Sequence, residues 1–342
     1  RLIFPDGYVK VLTRVEFLDH HPILISPKDA PFIRAPRQFR FESAWLLDNT
    51  YNSMLNASWK GDVSLVENLE NVKQGINQWK IQTFDQVILK KKEIMARLNG
   101  IQANIHNGNN GRGLRRLEQK LQDELSDILE KEELMWFQRS RAKWLCDGDR
   151  NTRYYHTKTV SRRRKNNVLM LKNEEGQWID DVDQLQGMVN EFFHKLFAST
   201  HDRRDWFVSD ISYPELGDGC IAKLASPLMN EKVKNALFSM NPWKAPGPDG
   251  FPAGFYQKAW GRIGSSVCAF VCSVWNNPSI IATVNQTDIC LIPKAQQPEF
   301  VTQFRPISLC NTIYKIVSKV IVERLKVCIP KLVSPFQTGF VP

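Results

Sequence analysis

Leu65, Leu69, Val72, Ile76 and Trp79 fall at spacings of 4, 3, 4 and 3, and Ile94, Leu98, Ile101 and Ile105 repeat that rhythm. Apolar residues so spaced lie along one side of an α-helix and need another apolar surface to cover them. The pattern predicts a long amphipathic helix beginning at Leu65. His106 to Gly113 (HNGNNGRG) is rich in breakers, and Leu114, Leu117, Leu121, Leu125 and Ile128 then begin a second helix on the same period. Two long helices joined by a short turn pack antiparallel, so the middle of the chain is expected to be a helical hairpin acting as a structural spacer.

Around this hairpin the patterns are mixed. Residues 1–26 alternate and cluster apolar residues as strands do, and 167–180 (NVLMLKNEEGQWID) predicts a hairpin turning at Glu175-Gly176. A helix is expected from about Val182 to Phe197, with Leu185, Met188, Val189, Phe192, Phe193 and Leu196 on its apolar side. Pro214 to Pro227 reads as a linker leading to a helix at Asn230–Met240, and a longer helix is expected over Ala253–Asn276. Thr287–Lys294 and Phe304–Leu309 predict two strands joined by the polar turn 295–303. The fold class is therefore α+β, predominantly helical.

Charge narrows the partners. The 342 residues hold 46 Lys and Arg against 36 Asp and Glu, a net charge of +10. A polyanionic partner suits that balance. Most of the excess lies between Arg139 and Lys165, where ten Lys or Arg face only Asp147 and Asp149, with Trp144, Tyr154, Tyr155 and His156 interleaved. Cations alternating with rings suit the phosphates and exposed bases of single-stranded nucleic acid. Arg153, Arg162, Arg163, Arg164 and Lys165 are the candidate contacts, and Arg162 to Lys165 (RRRK) also fits a nuclear-import tag. The seven cysteines are odd in number and scattered, without zinc-ligand spacing, which suits a reducing intracellular setting. No run of residues has the length and apolarity of a membrane span, and no leader follows Arg1, so a soluble nuclear or cytoplasmic protein is expected.

Two segments carry chemistry. In Pro242 to Pro252 (PWKAPGPDGFP) four prolines and two glycines fix a backbone without regular structure, and Lys244 and Asp249 are its charges. Such a loop can present Lys244 to a phosphate, although the residues alone also describe a plain helix-to-helix connection. On the arms of the later hairpin stand Lys294 and Arg305, a point charge and a planar fork suited to gripping a triphosphate. Two exposed cations on an edge hairpin are the alternative.

In order, KAPGPDG, a helix with Phe255, Tyr256 and Trp260, then LIPK, FRPISLCN, YKIVSK, ERLK and Gln337 to Pro342 (QTGFVP) resemble the fingers of the reverse transcriptase of plant non-LTR (LINE-type) retrotransposons. Residues 141–156 and 162–178 are similar to the connector before that polymerase. Asp19-His20-His21-Pro22-Ile23 resembles the closing motif of its endonuclease/exonuclease/phosphatase domain. The resemblance implies three parts: an endonuclease remnant (1–26), a helical hairpin with basic connector (27–213), and the first part of a reverse transcriptase (214–342). It implies that Lys294 and Arg305 hold the phosphates of an incoming deoxynucleotide. Gln337, Gly339 and Phe340 would lie along the template or primer, so RNA template and DNA primer are the partners. The metal-binding aspartates of the family have no counterpart in residues 1–342, and no metal site is expected here. The copying reaction of the complete polymerase uses Mg²⁺, so an RNA-directed DNA polymerase fragment inactive as given is expected. Asp19 and His20 would be an incomplete nuclease pair. The alternative is a non-catalytic RNA- or DNA-binding protein derived from a retrotransposon. A third possibility is a decayed pseudogene product that folds poorly, in which, without a palm to pack on, the apolar side of the helix Tyr314–Leu325 (Ile316, Val317, Val320, Ile321, Leu325) is expected to lie open.

Overall fold

The computed structural model describes residues 8–11, 23–26, 38–83, 87–108, 111–142, 152–198, 214–295, 297–333 and 336. Strands β1 (Tyr8–Val11) and β2 (Ile23–Ser26) pair antiparallel, with Tyr8 opposite Ser26 and Val11 opposite Ile23. Five helices follow: α1 (Tyr51–Ser58), α2 (Leu65–Thr83), α3 (Val87–His106), α4 (Arg112–Ser140) and α5 (Thr152–Asn166). A second antiparallel pair, β3 (Leu171–Lys172) and β4 (Trp178–Ile179), leads into α6 (Val182–Phe197). Then come α7 (Asp218–Ala225), α8 (Asn230–Phe238), α9 (Ala253–Lys258) and α10 (Trp260–Asn276). The paired strands β5 (Thr287–Pro293) and β6 (Phe304–Cys310) precede α11 (Thr312–Leu325) and α12 (Ile329–Leu332). The fold is predominantly helical α+β, and no helix among the described residues is long and apolar enough to cross a membrane.

The chain divides into two compact units, the first formed by residues 1–38, 166–205 and 291–306, the second by 39–165, 206–290 and 307–342. In the first unit α6 begins at Asp181, whose carboxylate accepts from Gln184 N at 3.0 Å and so satisfies a free donor of the first turn. Leu185 and Phe193 on α6 are buried with Leu171, Val301 and Phe304. The β3–β4 turn closes where Gly176 takes φ 81°, the hand that favours glycine. Lys172 is held on Glu299 by a 2.6 Å ion pair and lies 4.8 Å from the centre of the Trp178 ring.

In the second unit an aromatic core of Phe41, Trp45, Tyr51, Phe251, Phe255 and Tyr256 is covered by α2 and α10. The α2 stripe read from the sequence is the buried one: Leu65, Leu69, Val72 and Ile76 all face this core. The expected single long helix is assigned as α2 and α3, and residues 84–86 between them lie outside the described residues. The α3 stripe belongs to a separate cluster. Ile94, Leu98 and Ile101 pack against Leu121 and Ile128 of α4, and Lys91 to Glu132 (2.5 Å) and Gln102 to Glu118 (3.1 Å) show that the pair runs antiparallel, as expected.

The far end of α4 is tied to residues 41–48. Gln138 accepts from Ser43 N at 2.7 Å and donates to Phe41 O at 3.0 Å, Lys131 pairs with Asp48 at 3.1 Å, and Arg139 pairs with Glu42.

Three expectations need correction. The supposed linker 214–227 contains α7, because Gly217 caps a helix instead of breaking one, and Arg324 closes its other end on Leu224 O (2.8 Å) and Ser226 O (2.5 Å). The helix expected over 253–276 is two, since Ala259 leaves helical geometry at φ −89° and ψ 5°. The α11 face is largely covered: Ile316, Val317 and Val320 are buried, while Ile321 and Leu325 remain 41% and 39% exposed.

Asn68 is the polar group on which the α1–α2 connection hangs. It is fully buried, accepts from Lys60 N (2.8 Å) and donates to Lys60 O (2.8 Å) and Val63 O (3.2 Å). Asn68→Ala leaves those backbone groups without partners and is expected to cost about 2–4 kcal/mol. Urea unfolding should show a lower midpoint at unchanged slope; a wild-type midpoint would show that this connection does not depend on Asn68.

Candidate nucleic-acid interface

The loop 242–252 owes its shape to two glycines that tolerate no side chain. A Cβ on Gly247 would lie 2.4 Å from Asn311 N, and one on Gly250, where φ is 80°, would lie 2.3 Å from Phe39 O. Backbone and side-chain bonds complete the fit. Asn311 Oδ1 accepts from Asp249 N (3.1 Å), Asn311 Nδ2 donates to Val284 O (3.1 Å), and Thr312 Oγ1 donates to Phe251 O (2.7 Å). Phe41 N donates to Gly250 O at 2.9 Å. The loop is thereby fixed to the start of α11 on one side and to residues 39–41 on the other.

Cations gather on this fixed backbone. Arg141 ends α4 in the left-handed region (φ 57°), and its Nη1 donates to Trp243 O at 3.1 Å. From α11, Lys315 Nζ donates to Ala245 O at 3.2 Å. From α5, Arg162 donates to Arg139 O (2.7 Å) and Ser140 O (3.4 Å), satisfying carbonyls at the α4 C-terminus. In each of these bonds the cation meets a carbonyl, and among the described residues none of the three makes an ion pair with a carboxylate. Arg139, in contrast, is neutralised by Glu42.

The groups repel one another. Burial and then the neighbouring Arg162 and Arg40 hold Arg141 below the usual arginine range, and burial, Arg163 and Arg40 do the same to Arg162. Burial lowers the Lys315 ammonium; Cys310 and Asp249 work against this, while Arg141 and Lys244 add to it. Arg40, Arg141, Arg162, Lys244 and Lys315 thus form one assembly, and a bound phosphate would relieve its repulsion.

Asp249 is a carboxyl within this field. Its Oδ1 accepts from Phe251 N at 3.0 Å. Burial pushes it up to about 6, against opposing effects of the Phe251 hydrogen bond, Lys315, Tyr256 and Lys73. The Tyr256 hydroxyl is buried near enough to sense the carboxyl, which with burial pushes the phenol above its ordinary range, but it makes no hydrogen bond of normal geometry.

Of the residues expected from sequence, Lys244 and Arg162 come together in the assembly. Arg153, Arg163, Arg164 and Lys165 lie on the exposed side of α5. Arg40, Arg141 and Lys315 were not anticipated; Arg141 stood inside the basic window and Lys315 inside YKIVSK, whereas Arg40 carries no signal of its own. Lys294 and Arg305 belong to the first unit, where both are exposed on the β5–β6 hairpin, and Lys294 Nζ donates to Thr302 O at 2.8 Å. Asp19, His20, Gln337, Gly339 and Phe340 lie outside the described residues. Among the described residues no group of three or more His, Cys, Asp or Glu is placed to hold a metal ion.

Asp249 gives the fold a pH signature. A carboxyl raised from 3.8 to about 6 binds its proton more tightly in the folded chain than in the unfolded one. It therefore favours the fold below 3.8 relative to neutral pH, and that advantage is lost as pH rises through about 6. Asp249→Asn keeps the acceptor for Phe251 N and removes the titration. The difference in unfolding free energy between variant and wild type is expected to change by on the order of 2–3 kcal/mol between acid and neutral pH, the variant gaining toward neutrality. Parallel pH profiles in chemical denaturation would contradict the buried ionisation.

No family model matches the chain. It is similar to the "Transposon TX1 uncharacterized 149 kDa protein" of Xenopus laevis, with 23% identity over 344 residues that cover 95% of this chain and 26% of that protein. The chain thus spans about a quarter of the length of this curated relative, and it is related to a transposon protein along nearly all of its own length.

Proposed function

We propose that this chain is the template-gripping, fingers-side part of an RNA-directed DNA polymerase of a LINE-type retrotransposon. In this reading the assembly of Arg40, Arg141, Arg162, Lys244 and Lys315 holds the phosphates of a nucleic-acid strand, and the exposed cations of α5 extend that grip. Lys294 and Arg305 hold the triphosphate of the incoming deoxynucleotide, the fork of Arg305 and the point charge of Lys294 dividing the oxygens between them. Residues 1–342 contribute binding; the bond-forming step of such an enzyme runs through divalent ions held by carboxylates.

The observation that carries the reading is the set of cations seated on backbone carbonyls around a braced loop. Arg139, by contrast, is neutralised by Glu42. The seated cations end on dipoles that orient them and leave their charge for a partner. The near full-length similarity to a transposon protein supports the same reading.

Fluorescence anisotropy with a short single-stranded RNA tests it. The triple variant Arg141→Gln, Arg162→Gln and Lys315→Gln is expected to bind at least about tenfold more weakly and to lower the slope of log affinity against log salt by about 2, near 0.7 for each phosphate that is no longer neutralised. Lys244→Gln, on the exposed loop surface, is expected to lower the slope by about 0.7 without disturbing the fold. Wild-type affinity and slope in the folded variants would overturn the proposal.

A further inference from the structure

The basic helix α5 carries two rings side by side in sequence, and the fold treats them differently. Tyr155 is fully buried, its ring set edge-on to Phe137 with centres 5.4 Å apart. Tyr154 is 53% exposed. It is nonetheless held in place: its ring leans at 66° on Tyr155, with centres 5.5 Å apart, and Lys158, one turn further on, lies 5.5 Å from its ring centre and donates to its hydroxyl at 3.4 Å. Neither contact is a parallel ring stack. At about 100° per residue Tyr154, Lys158, Ser161 and Lys165 share one side of α5, and all four are exposed. Arg162, seated on the carbonyls of Arg139 and Ser140, stands on the adjoining side. Along the helix axis it lies about 12 Å from Tyr154, roughly the span of three or four stacked nucleotides at about 3.4 Å each.

Resting on the nucleic-acid reading above, we propose that Tyr154, steadied by Lys158, is a base-stacking shelf: an unpaired base of a bound RNA lies against its ring while the cations of α5 hold the neighbouring phosphates. Every base has a flat π-face, so such a contact is open to any sequence. It is closed to a duplex, whose bases are already stacked on one another and show only their edges in the grooves. The cations alone attract any polyanion, because phosphates carry the same charge in single and double strands. The ring is therefore what makes this surface choose an unpaired strand. Lys158 contributes twice, as a brace for the ring and as a cation beside it.

Stacking and phosphate contact leave different signatures. A cation that meets a phosphate displaces a counterion, so its removal lowers the slope of log affinity against log salt. A ring that stacks on a base displaces none, so its removal weakens binding at an unchanged slope. The exposure of Tyr154 also separates it from its neighbour: truncating Tyr155 would open the packing against Phe137, whereas truncating Tyr154 removes a ring that already meets solvent.

The test is binding by the full chain to three probes of equal length: a single-stranded RNA, an RNA duplex, and an abasic strand that keeps the phosphates and lacks the bases. Tyr154→Ala is expected to bind the single-stranded RNA about five- to a hundredfold more weakly than wild type, at unchanged salt slope. It should bind the duplex and the abasic strand as wild type does. Tyr154→Phe keeps the ring and should retain wild-type affinity for all three. The wild type itself should bind the abasic strand more weakly than the RNA, a readout that involves no substitution. Equal single-strand affinity of wild type and Tyr154→Ala, or an equal loss on all three probes, would overturn the stacking role and leave the phosphate grip standing. No binding of any probe by the wild type would overturn both.

Discussion

The backbone from Gly247 to Phe251 lies so close to Phe39 and Asn311 that neither glycine can carry a Cβ, and much of the second unit is arranged around that approach. Phe39 and Phe41 reach the loop from one side and Asn311 and Thr312 from the other, the two polar side chains bonding to Asp249 N and Phe251 O. Directly after the loop, Phe251, Phe255 and Tyr256 enter the aromatic core, with the Phe251 and Phe255 rings 4.5 Å apart. A rigid loop is useful only if its surroundings are fixed, and here core and loop fix each other. Lys244 thus projects from a backbone that has no freedom to follow it.

The end of α4 shows how backbone geometry decides which charge is spent on folding. Arg139 and Arg141 are two residues apart, yet Arg139 pairs with Glu42 and Arg141 turns to Trp243 O. The change coincides with Arg141 entering the left-handed region, which costs a non-glycine residue roughly 1 kcal/mol. Arg162 then covers the carbonyls that the ended helix leaves open. Two guanidinium groups are thereby oriented at one helix terminus by carbonyls, and among the described residues neither makes an ion pair with a carboxylate.

Much of this architecture was legible in the residues because local periodicity and burial agree. The α2 and α3 stripes, the α3–α4 pairing, the β3–β4 hairpin and α6 with its limits all follow from spacing and turn chemistry. Failures occurred where a residue type serves two purposes. Gly217 is a breaker in isolation but a helix cap when Arg324 satisfies the other end, a residue about a hundred positions away. Covering Ile316 and Val317 likewise depends on distant core residues that no local window contains. For the site, Lys244 and Arg162 were legible as cations on a braced loop and in a basic window. Lys315 and Arg40 were not, since nothing in YKIVSK or in the segment before Phe41 announces that the chain brings them to the same loop.

The electrostatics of the two units differ in kind. In the first, Lys172 is met by Glu299 and by the Trp178 ring, a cation whose partners lie within the fold. In the assembly on the second unit, carbonyl oxygens set direction, neighbouring cations raise the cost, and the part-buried Asp249 carboxyl holds its proton unusually well. Arg40, Arg141 and Lys244 are exposed and Arg162 and Lys315 half-buried, so solvent screens much of their mutual repulsion and the fold tolerates it. A polyanion of the kind proposed above would meet these charges on a backbone that the loop's close approach to Phe39 and Asn311 holds in place.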